Sequence, residues 1–180
     1  MDKHLKLVKK AIRGNEKAFE KLIENNSEKL YKTAFLYVRN KEDALDVLQD
    51  TIYKAYVSIG QVEKPEFFTT WLTRILIRTS YESLRKKKKT ILDERYITNE
   101  LPEKSIDIEG KLDLLKAISQ LNKDYQTTII LFYYHDLPIR NISETLNLPE
   151  NTVKTYLRRA KLELKRLLGG MDYEQTAFQR

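Results

Sequence analysis

The stretch NTVKTYLRRAKLELKRLL, residues 151–168, combines an apolar stripe with charge of one sign. It holds six basic side chains and one acid, yet apolar residues recur at every third or fourth position. That spacing predicts an α-helix with one buried face. The buried face would consist of Val153, Leu157, Ala160, Leu164 and Leu167. Beside it, at i, i+4, i+7 and i+11, lies a basic ridge of Lys154, Arg158, Lys161 and Lys165.

A shorter helix precedes this one, and the two form a helix-turn-helix pattern. The earlier helix has an apolar face of Ile139, Ile142 and Leu146, the letters NLP supply a turn, and Pro149 fits the first position of the later helix. In such a unit the second helix presents hydrogen-bond donors to a DNA major groove. The alternative is a solvated face on an ordinary helix. We predict base contacts from Lys154, Thr155 and Arg158 and, within the same surface, further contacts from Tyr156, Arg159 and Lys161.

The overall composition narrows the class of partner. The chain has 33 Lys and Arg against 26 Asp and Glu, and its net charge of +7 favours a polyanion such as nucleic acid or an acidic membrane surface. It contains no cysteine, which excludes a disulfide framework and a thiolate metal site. No apolar run approaches the length of a membrane span, and residues 1–15 alternate charge with apolar residues, unlike a signal peptide. We expect a cytoplasmic protein.

Charge also divides the chain. Residues 1–90 hold 20 basic and 12 acidic side chains, residues 91–110 hold two and six, and residues 111–180 hold 11 and eight. The middle segment contains Pro102 and Gly110 and lacks a sustained helical period, which indicates a linker. The alternative, one domain with a long surface loop, is uncommon in compact folds. The predicted organisation is a domain at 1–90, an acidic flexible linker at 91–110, a domain at 111–168 and a tail at 169–180, to which we assign no role.

The first domain is predicted to be a bundle of about four helices, with a possible bend at 25–27. Asn40 is a candidate N-cap of a helix that ends at Gly60. Its buried face is predicted to be Leu45, Leu48, Ile52, Ala55, Tyr56 and Ile59. Pro65 opens a further helix in which Phe68, Trp71, Leu72, Ile75, Thr79 and Leu84 pack. The fold class is therefore all-α, with two small helical domains.

These motifs resemble those of the extracytoplasmic-function (group IV) sigma factors of the sigma-70 family. The letters EDALDVLQDTIYKAY resemble sigma region 2.2, and FFTTWLTRILIRTSYESLRKKKK resembles regions 2.3 and 2.4. The sequence NISETLNLPE followed by NTVKTYLRRAKLELKRLL resembles the helix-turn-helix of region 4. The resemblance covers roughly residues 14–168. Asn147 stands where the family often has Gly, a change that a turn tolerates. Arg78 stands where the family often has Asn, which bears on base preference at the minus-ten element.

The resemblance implies two surfaces in the first domain. One binds the clamp helices of the largest subunit of bacterial RNA polymerase, and its candidates are Asp43, Asp46, Gln49, Asp50 and Tyr53. The other recognises and melts the minus-ten promoter element, with a loop at 62–67 that captures a flipped base. Aromatic faces and cations favour single-stranded DNA. The candidates are Lys64, Phe67, Phe68, Trp71, Arg74, Arg78 and Arg85, although Phe68 and Trp71 also fit a core position.

The resemblance further implies minus-thirty-five recognition by the second domain and control by an anti-sigma factor. The sequence offers no sign of an enzyme, since it has no P-loop, no nucleophile elbow and only two histidines, His4 and His135. We expect no cofactor and no metal. A helix-turn-helix repressor or activator that binds duplex DNA without polymerase is the alternative, and a basic adaptor that binds only proteins is a third possibility.

Overall fold

The computed structural model describes residues 3–94 and 111–169, with side chains described for 3–87 and 114–169. Within these ranges the secondary structure is helical and contains no strand, so the all-α prediction is confirmed. The chain divides into two compact units, residues 1–100 and residues 101–180.

Within the described residues the first unit contains four α-helices, in agreement with the predicted bundle of about four. They are α1 (Lys3–Ile12), α2 (Glu16–Val38), α3 (Lys41–Ser58) and α4 (Phe68–Glu94). Two single turns of 3₁₀-helix, Ile59–Gln61 and Pro65–Phe67, connect α3 to α4. Helix α2 packs against α1, α3 and α4, and α3 packs against α4. The largest fully buried side chains of this core include Phe68, Leu22, Leu72, Leu76, Val8 and Val47.

Asparagine side chains set the start of two of these helices. Asn15 accepts a hydrogen bond from the amide of Ala18 at 2.8 Å, and Asn40 accepts one from the amide of Asp43 at 2.9 Å. Each bond satisfies an amide that the helix itself leaves without a partner, a contribution of about 1 kcal/mol. The predicted N-cap at Asn40 is confirmed.

Several boundaries differ from the sequence-based expectation. Helix α3 ends at Ser58 and not at Gly60, and α4 begins at Phe68 and not at Pro65, which opens a 3₁₀ turn instead. Helix α2 runs without interruption through 25–27, because Asn26 and Ser27 hydrogen-bond back to carbonyls of the preceding turn instead of breaking it. Helix α4 continues to Glu94, so its last four residues fall in the segment predicted as linker. No Gly or Pro occurs between 66 and 101 to end it earlier. Residues 95–110 of the predicted linker and 170–180 of the tail lie outside the described residues.

Within its described residues, the second unit is built around one long helix. Its elements are α5 (Lys111–Gln120), α6 (Lys123–Ile129), a π-helical turn (Ile130–Tyr134), α7 (Ile139–Leu146) and α8 (Glu150–Leu167). Helix α8 packs against α5, α6 and α7. It buries Val153, Leu157, Ala160 and Leu164, as the stripe predicts, while Leu167 is half-buried. His135 is also buried, at 8% exposure, which fits a structural side chain.

Candidate nucleic-acid and protein interfaces

Helices α7 and α8 are joined by a tight turn. Asn147 ends α7 in the left-handed conformation, with φ of 54° and ψ of 48°. Asparagine adopts this conformation at modest cost, which explains why it serves in place of Gly. The amide of Leu148 donates to the carbonyl of Ser143 at 3.0 Å, closing the turn. Pro149 was predicted at the first helical position but lies at the N-cap, and α8 begins at Glu150.

The exposed face of α8 is cationic. Lys154, Arg158, Arg159 and Lys161 are all exposed, on a face next to the buried stripe. Lys165 and Arg166 continue the charge through the last turn. Phosphate oxygens and the acceptor atoms of guanine are the groups that exposed cationic donors bind on DNA.

Two of the six predicted contacts on α8 are less accessible. Thr155 is half-buried and its hydroxyl donates to the carbonyl of Asn151 at 2.8 Å. Tyr156 is half-buried and packs edge-to-face on Tyr125, with ring centroids 5.4 Å apart. Tyr156 therefore ties α8 to α6 and has only part of its ring available to a partner.

Asn151 is a further candidate contact on this helix that was not predicted from the sequence. Asn151 is exposed in the first turn of α8, one turn before Thr155 and almost two turns before Arg158. Its amide can both donate to and accept from a base edge, as in the pairing with adenine. The spacing i, i+4, i+7 to Thr155 and Arg158 was the signal that could have identified it.

The candidate minus-ten residues fall into accessible and packed groups. Lys64, Arg78 and Arg85 are exposed, and Phe67 is half-buried in the turn before α4. The Nζ atom of Lys64 lies 5.9 Å from the centroid of the Phe67 ring, within the range of a cation–π contact. These four residues place cations and an aromatic face along one segment of the first unit.

Phe68 is corrected from a DNA contact to a core residue. Its side chain is fully buried at 0% exposure, because the amphipathic start of α4 turns it inward, and its ring lies 5.8 Å from that of Trp71. Trp71 is half-buried and packs against the same core, and Arg74 is half-buried as well. Of the alternatives considered for Phe68, the core position is the one observed.

The outward face of α3 carries the candidate polymerase contacts. Asp46, Gln49 and Asp50 are exposed, and Tyr53 is 71% exposed. Asp43 differs: its carboxylate lies 2.5 Å from the Nζ atom of Lys87 on α4, and its side chain is only 25% exposed. Asp43 therefore helps to hold α3 against α4, and less of its charge is available to a partner.

The predicted buried stripe of α3 is wrong in part. The helix buries Ala44, Val47, Thr51 and Ala55, whereas Leu45 and Tyr56 are 49% and 46% exposed. Small side chains allow α3 to approach α2 and α4 closely, and the larger residues beside them turn to solvent. Within the described residues, four of the five exposed large apolar side chains lie on α3, namely Leu45, Tyr53, Tyr56 and Val57.

Two polar contacts fix the edges of α3. The hydroxyl of Tyr56 donates to the Glu16 carboxylate at 2.9 Å, and this hydrogen bond raises the pKa of Tyr56. Lys54 donates to Glu82 on α4 at 2.6 Å, and the bond lowers the pKa of the Glu82 carboxyl. Both contacts join α3 to neighbouring helices while its outward face stays open.

Two further features bear on the kind of site that the described part of the chain can hold. No cluster of three or more His, Asp or Glu residues suited to a metal ion occurs there. None of the helices there combines the length and the apolar character needed to cross a membrane.

Family models match both units. Residues 22–90 match the model described as Sigma-70 region 2, and residues 111–164 match the model described as Sigma-70, region 4. The first match spans α3 and most of α2 and α4, and the second spans α5 to α7 and most of α8. Helix α1 precedes both matches.

Whole-chain comparisons agree with these models. The chain is 39% identical over 146 residues to RNA polymerase sigma factor SigV of Bacillus subtilis, covering 81% of this chain and 87% of that one. It is 28% identical over 178 residues to ECF RNA polymerase sigma factor SigW of the same organism, covering 91% and 95%.

Solved structures show the same fold. A structure of CnrH in complex with the cytosolic domain of CnrY matches with a TM-score of 0.71 at 21% identity, covering 93% of this chain and 98% of that one. The sigma factor RpoE of Bartonella quintana, in complex with the anti-sigma factor NepR, matches with a TM-score of 0.70 at 24% identity, covering 85% and 98%. The two family models and the identity to SigV together show that the chain belongs to the extracytoplasmic-function sigma factors of the sigma-70 family.

Proposed function

We propose that this chain is the promoter-specificity subunit that directs bacterial core RNA polymerase to a set of promoters, and that three of its surfaces divide the work. The exposed face of α8 binds the minus-thirty-five duplex. The segment from Lys64 to Arg85 binds and melts the minus-ten element. The outward face of α3 binds the clamp helices of the polymerase. In this scheme residues 1–90 and 111–168 act as separate modules.

The proposed role of α8 is supported by the contrast between its buried apolar face and its exposed cationic face. Lys154, Arg158, Arg159 and Lys161 lie on the exposed side of the second helix of a helix-turn-helix unit. In such units the N-terminal half of the second helix reaches base edges. Lys154, Thr155 and Arg158 therefore read bases, and Tyr156, Arg159 and Lys161 contact the backbone.

The role of the segment before and within α4 is supported by exposed cations next to an aromatic ring. Melting requires a surface that binds the separated strand better than the duplex, and stacking on an aromatic ring with cations for the phosphates provides one. Phe67, with Lys64 beside it, is the candidate for stacking. Arg78 and Arg85 contact phosphates, Arg74 and Trp71 lie at the edge of this surface, and Phe68 supports it from the core.

The outward face of α3 is the observation that best supports the proposal, because a regulator that binds only duplex DNA would not require such a surface for a protein partner. Exposed apolar residues beside Asp46, Gln49 and Asp50 make a surface suited to a partner with basic residues around an apolar centre. The CnrH and RpoE structures each hold a second protein, which in the RpoE structure is an anti-sigma factor. An anti-sigma factor that covered α3 would compete directly with the polymerase and hold this chain inactive.

The chain itself is a regulatory and non-catalytic subunit that works in the cytoplasm, where its polymerase is. The alternative of a repressor or activator that binds DNA without polymerase is not favoured, because it does not explain why residues 22–90 match sigma region 2.

Run-off transcription tests the proposal. Core polymerase is incubated with a pool of genomic promoter fragments, with and without the chain. Product that depends on the chain is expected. If no product forms while the chain alone shifts duplex DNA, the proposal fails and the repressor alternative takes its place.

A further inference from the structure

Helix α1 carries a row of cations that neither matched family segment includes. The match to region 2 begins at residue 22, whereas α1 spans Lys3–Ile12. Val8 and Ala11, at 0% and 1% exposure, anchor the helix in the core of the first unit. The side facing away from them holds an exposed basic ridge at i, i+3, i+7 and i+10, made of Lys3, Lys6, Lys10 and Arg13.

The described residues do not neutralise the positive charge of this ridge. The ten residues of α1 include four lysines and no acid. Among the residues that the structure describes, the ridge cations form no ion pair with a carboxylate. Solvated lysines are common on helices, so charge alone does not identify a site. The position of α1 supplies the second argument.

Helix α1 packs beside the loop proposed to hold a flipped base. It contacts α2 and both 3₁₀ turns, Ile59–Gln61 and Pro65–Phe67. The ring of His4 lies 6.2 Å from that of Phe68, at the start of α4. The loop supplies little attraction for phosphate, because exposed Glu63 and Glu66 flank its single lysine, Lys64. Cations that draw a DNA strand to this loop therefore lie on the two helices that contact it, α4 with Arg78 and Arg85, and α1 with its ridge.

We propose that the ridge of α1 binds the phosphates of the opened promoter strand next to the base that the 62–67 loop captures. The inference rests on the proposed function and extends its single-strand site to a helix outside the family match. Lys3 and Arg13 are ten positions apart along the chain, which corresponds to about 15 Å of helix. One DNA strand presents a phosphate about every 3.4 Å along a stacked duplex, so this length faces roughly four phosphates.

The test measures salt dependence in the assembled holoenzyme. The full chain and its Lys6→Gln/Lys10→Gln variant are each loaded on core polymerase and titrated with a forked promoter probe whose minus-ten non-template strand is single-stranded. Each phosphate contact on a single strand contributes about 0.7 to the slope of log affinity against log salt. Loss of two contacts is expected to make the slope shallower by about 1.4. When the salt is lowered from 1 M to 0.1 M, the affinity of the variant should therefore rise about 25-fold less than that of the parent.

A matched control changes the same charge elsewhere in the first unit. Lys21→Gln/Lys32→Gln removes two exposed lysines from α2, and it is expected to leave the slope unchanged. Glutamine keeps helix propensity close to that of lysine, so both variants are expected to fold like the parent by circular dichroism. Methylphosphonates beside the captured base are expected to weaken binding of the probe to the parent more than to the α1 variant, which lacks two of the ridge contacts but keeps the phosphate contacts of Arg78 and Arg85.

Three results are decisive. If the α1 variant and the α2 control have equal slopes on the forked probe, the inference is overturned while the proposed function stands. If the α1 variant instead loses affinity for polymerase without DNA, the ridge binds an acidic protein surface and the inference is also overturned. If the parent neither binds polymerase nor supports transcription, the proposed function itself fails.

Discussion

Helices α3 and α8 are each 18 residues long and amphipathic, yet their exposed faces have opposite chemistry. On α8 the face turned to solvent is cationic, with Lys154, Arg158 and Lys161. On α3 it is acidic and apolar, with Asp46 and Tyr53. A row of cations suits a phosphate backbone, whereas an apolar surface with acids suits a protein. The contrast fits the proposal that one small chain binds DNA and polymerase through separate faces.

The largest expected effect separates the two sides of α8. Leu157 is 8% exposed and its neighbour Arg158 is exposed. Leu157→Ala is expected to lower the free energy of unfolding by about 2–5 kcal/mol, because it removes buried methyl groups and leaves a cavity. Arg158→Ala is expected to change it by less than about 0.5 kcal/mol. Denaturant unfolding of both variants checks the difference, and equal losses would show that α8 is oriented differently.

The next effect concerns DNA binding by the exposed side of α8. Arg158→Ala is expected to weaken binding of the holoenzyme to a minus-thirty-five promoter by about 1–3 kcal/mol, since a guanidinium contact to a base edge is lost. Fluorescence anisotropy with labelled promoter DNA measures the loss. Arg140→Ala, at an exposed position on α7, is the control and is expected to have a smaller effect. If the two variants bound the promoter equally well, the assignment of base reading to Arg158 would be wrong.

A third prediction tests the observed orientation of α3. Val47→Ala is expected to lower the free energy of unfolding by about 1–2 kcal/mol, because Val47 is fully buried. Leu45→Ala removes a larger side chain but is expected to cost less than about 0.5 kcal/mol, because Leu45 is half in solvent. Thermal and denaturant unfolding compare the two. A greater loss of unfolding free energy for Leu45→Ala than for Val47→Ala would support the buried stripe predicted from the sequence.

A fourth prediction tests what the exposed face of α3 binds. Tyr53→Ala is expected to weaken binding to core polymerase by about 1 kcal/mol or more, because exposed aromatic residues are frequent anchors of protein interfaces. The free energy of unfolding should stay within about 0.5 kcal/mol of the parent. Surface plasmon resonance with immobilised core polymerase measures the affinity. Unchanged affinity would mean that the partner lies on another face.

The smallest expected effect is a pH dependence at the edge of α3. The bond from Lys54 lowers the folded-state pKa of Glu82, so the pair stabilises the fold above the unfolded pKa, about 4.3. This contribution is lost as the pH falls through the lowered folded value. Both side chains are about half exposed, so it amounts to roughly 0.5 kcal/mol or less. Glu82→Gln is expected to remove it, as urea unfolding at a series of acidic pH values can measure. An unchanged pH profile would show that the pair contributes nothing.

The same two helices show how far sequence alone could go. The apolar stripe of α8 consists of a valine, an alanine and two leucines, so its period could be read directly. The stripe of α3 includes Ala44, Thr51 and Ala55, and a reading that favours large apolar residues selects Leu45 and Tyr56 instead. Leu45 lies about 200° around the helix from Val47. Only the packing of α2 and α4 against α3 shows which of the two faces is buried.

Other differences also have local causes. Phe68 and Phe67 are adjacent and chemically alike, and only the onset of α4 turns one into the core and leaves the other at the surface. Asp43 looked like a surface acid because its partner, Lys87, is 44 residues away in sequence. The helix-turn-helix, by contrast, depends on short-range signals around Asn147 and Pro149, and the sequence contained them.

The most direct test of the contrast between α3 and α8 measures two affinities for two double variants. Lys154→Ala/Arg158→Ala and Tyr53→Ala/Asp50→Ala are each assayed for binding to core polymerase and, when loaded on polymerase at saturating concentration, for binding to promoter DNA. The account predicts that the α8 variant loses only DNA affinity and the α3 variant only polymerase affinity. Loss of both affinities in both variants would contradict it. So would loss of polymerase affinity in the α8 variant together with loss of DNA affinity in the α3 variant.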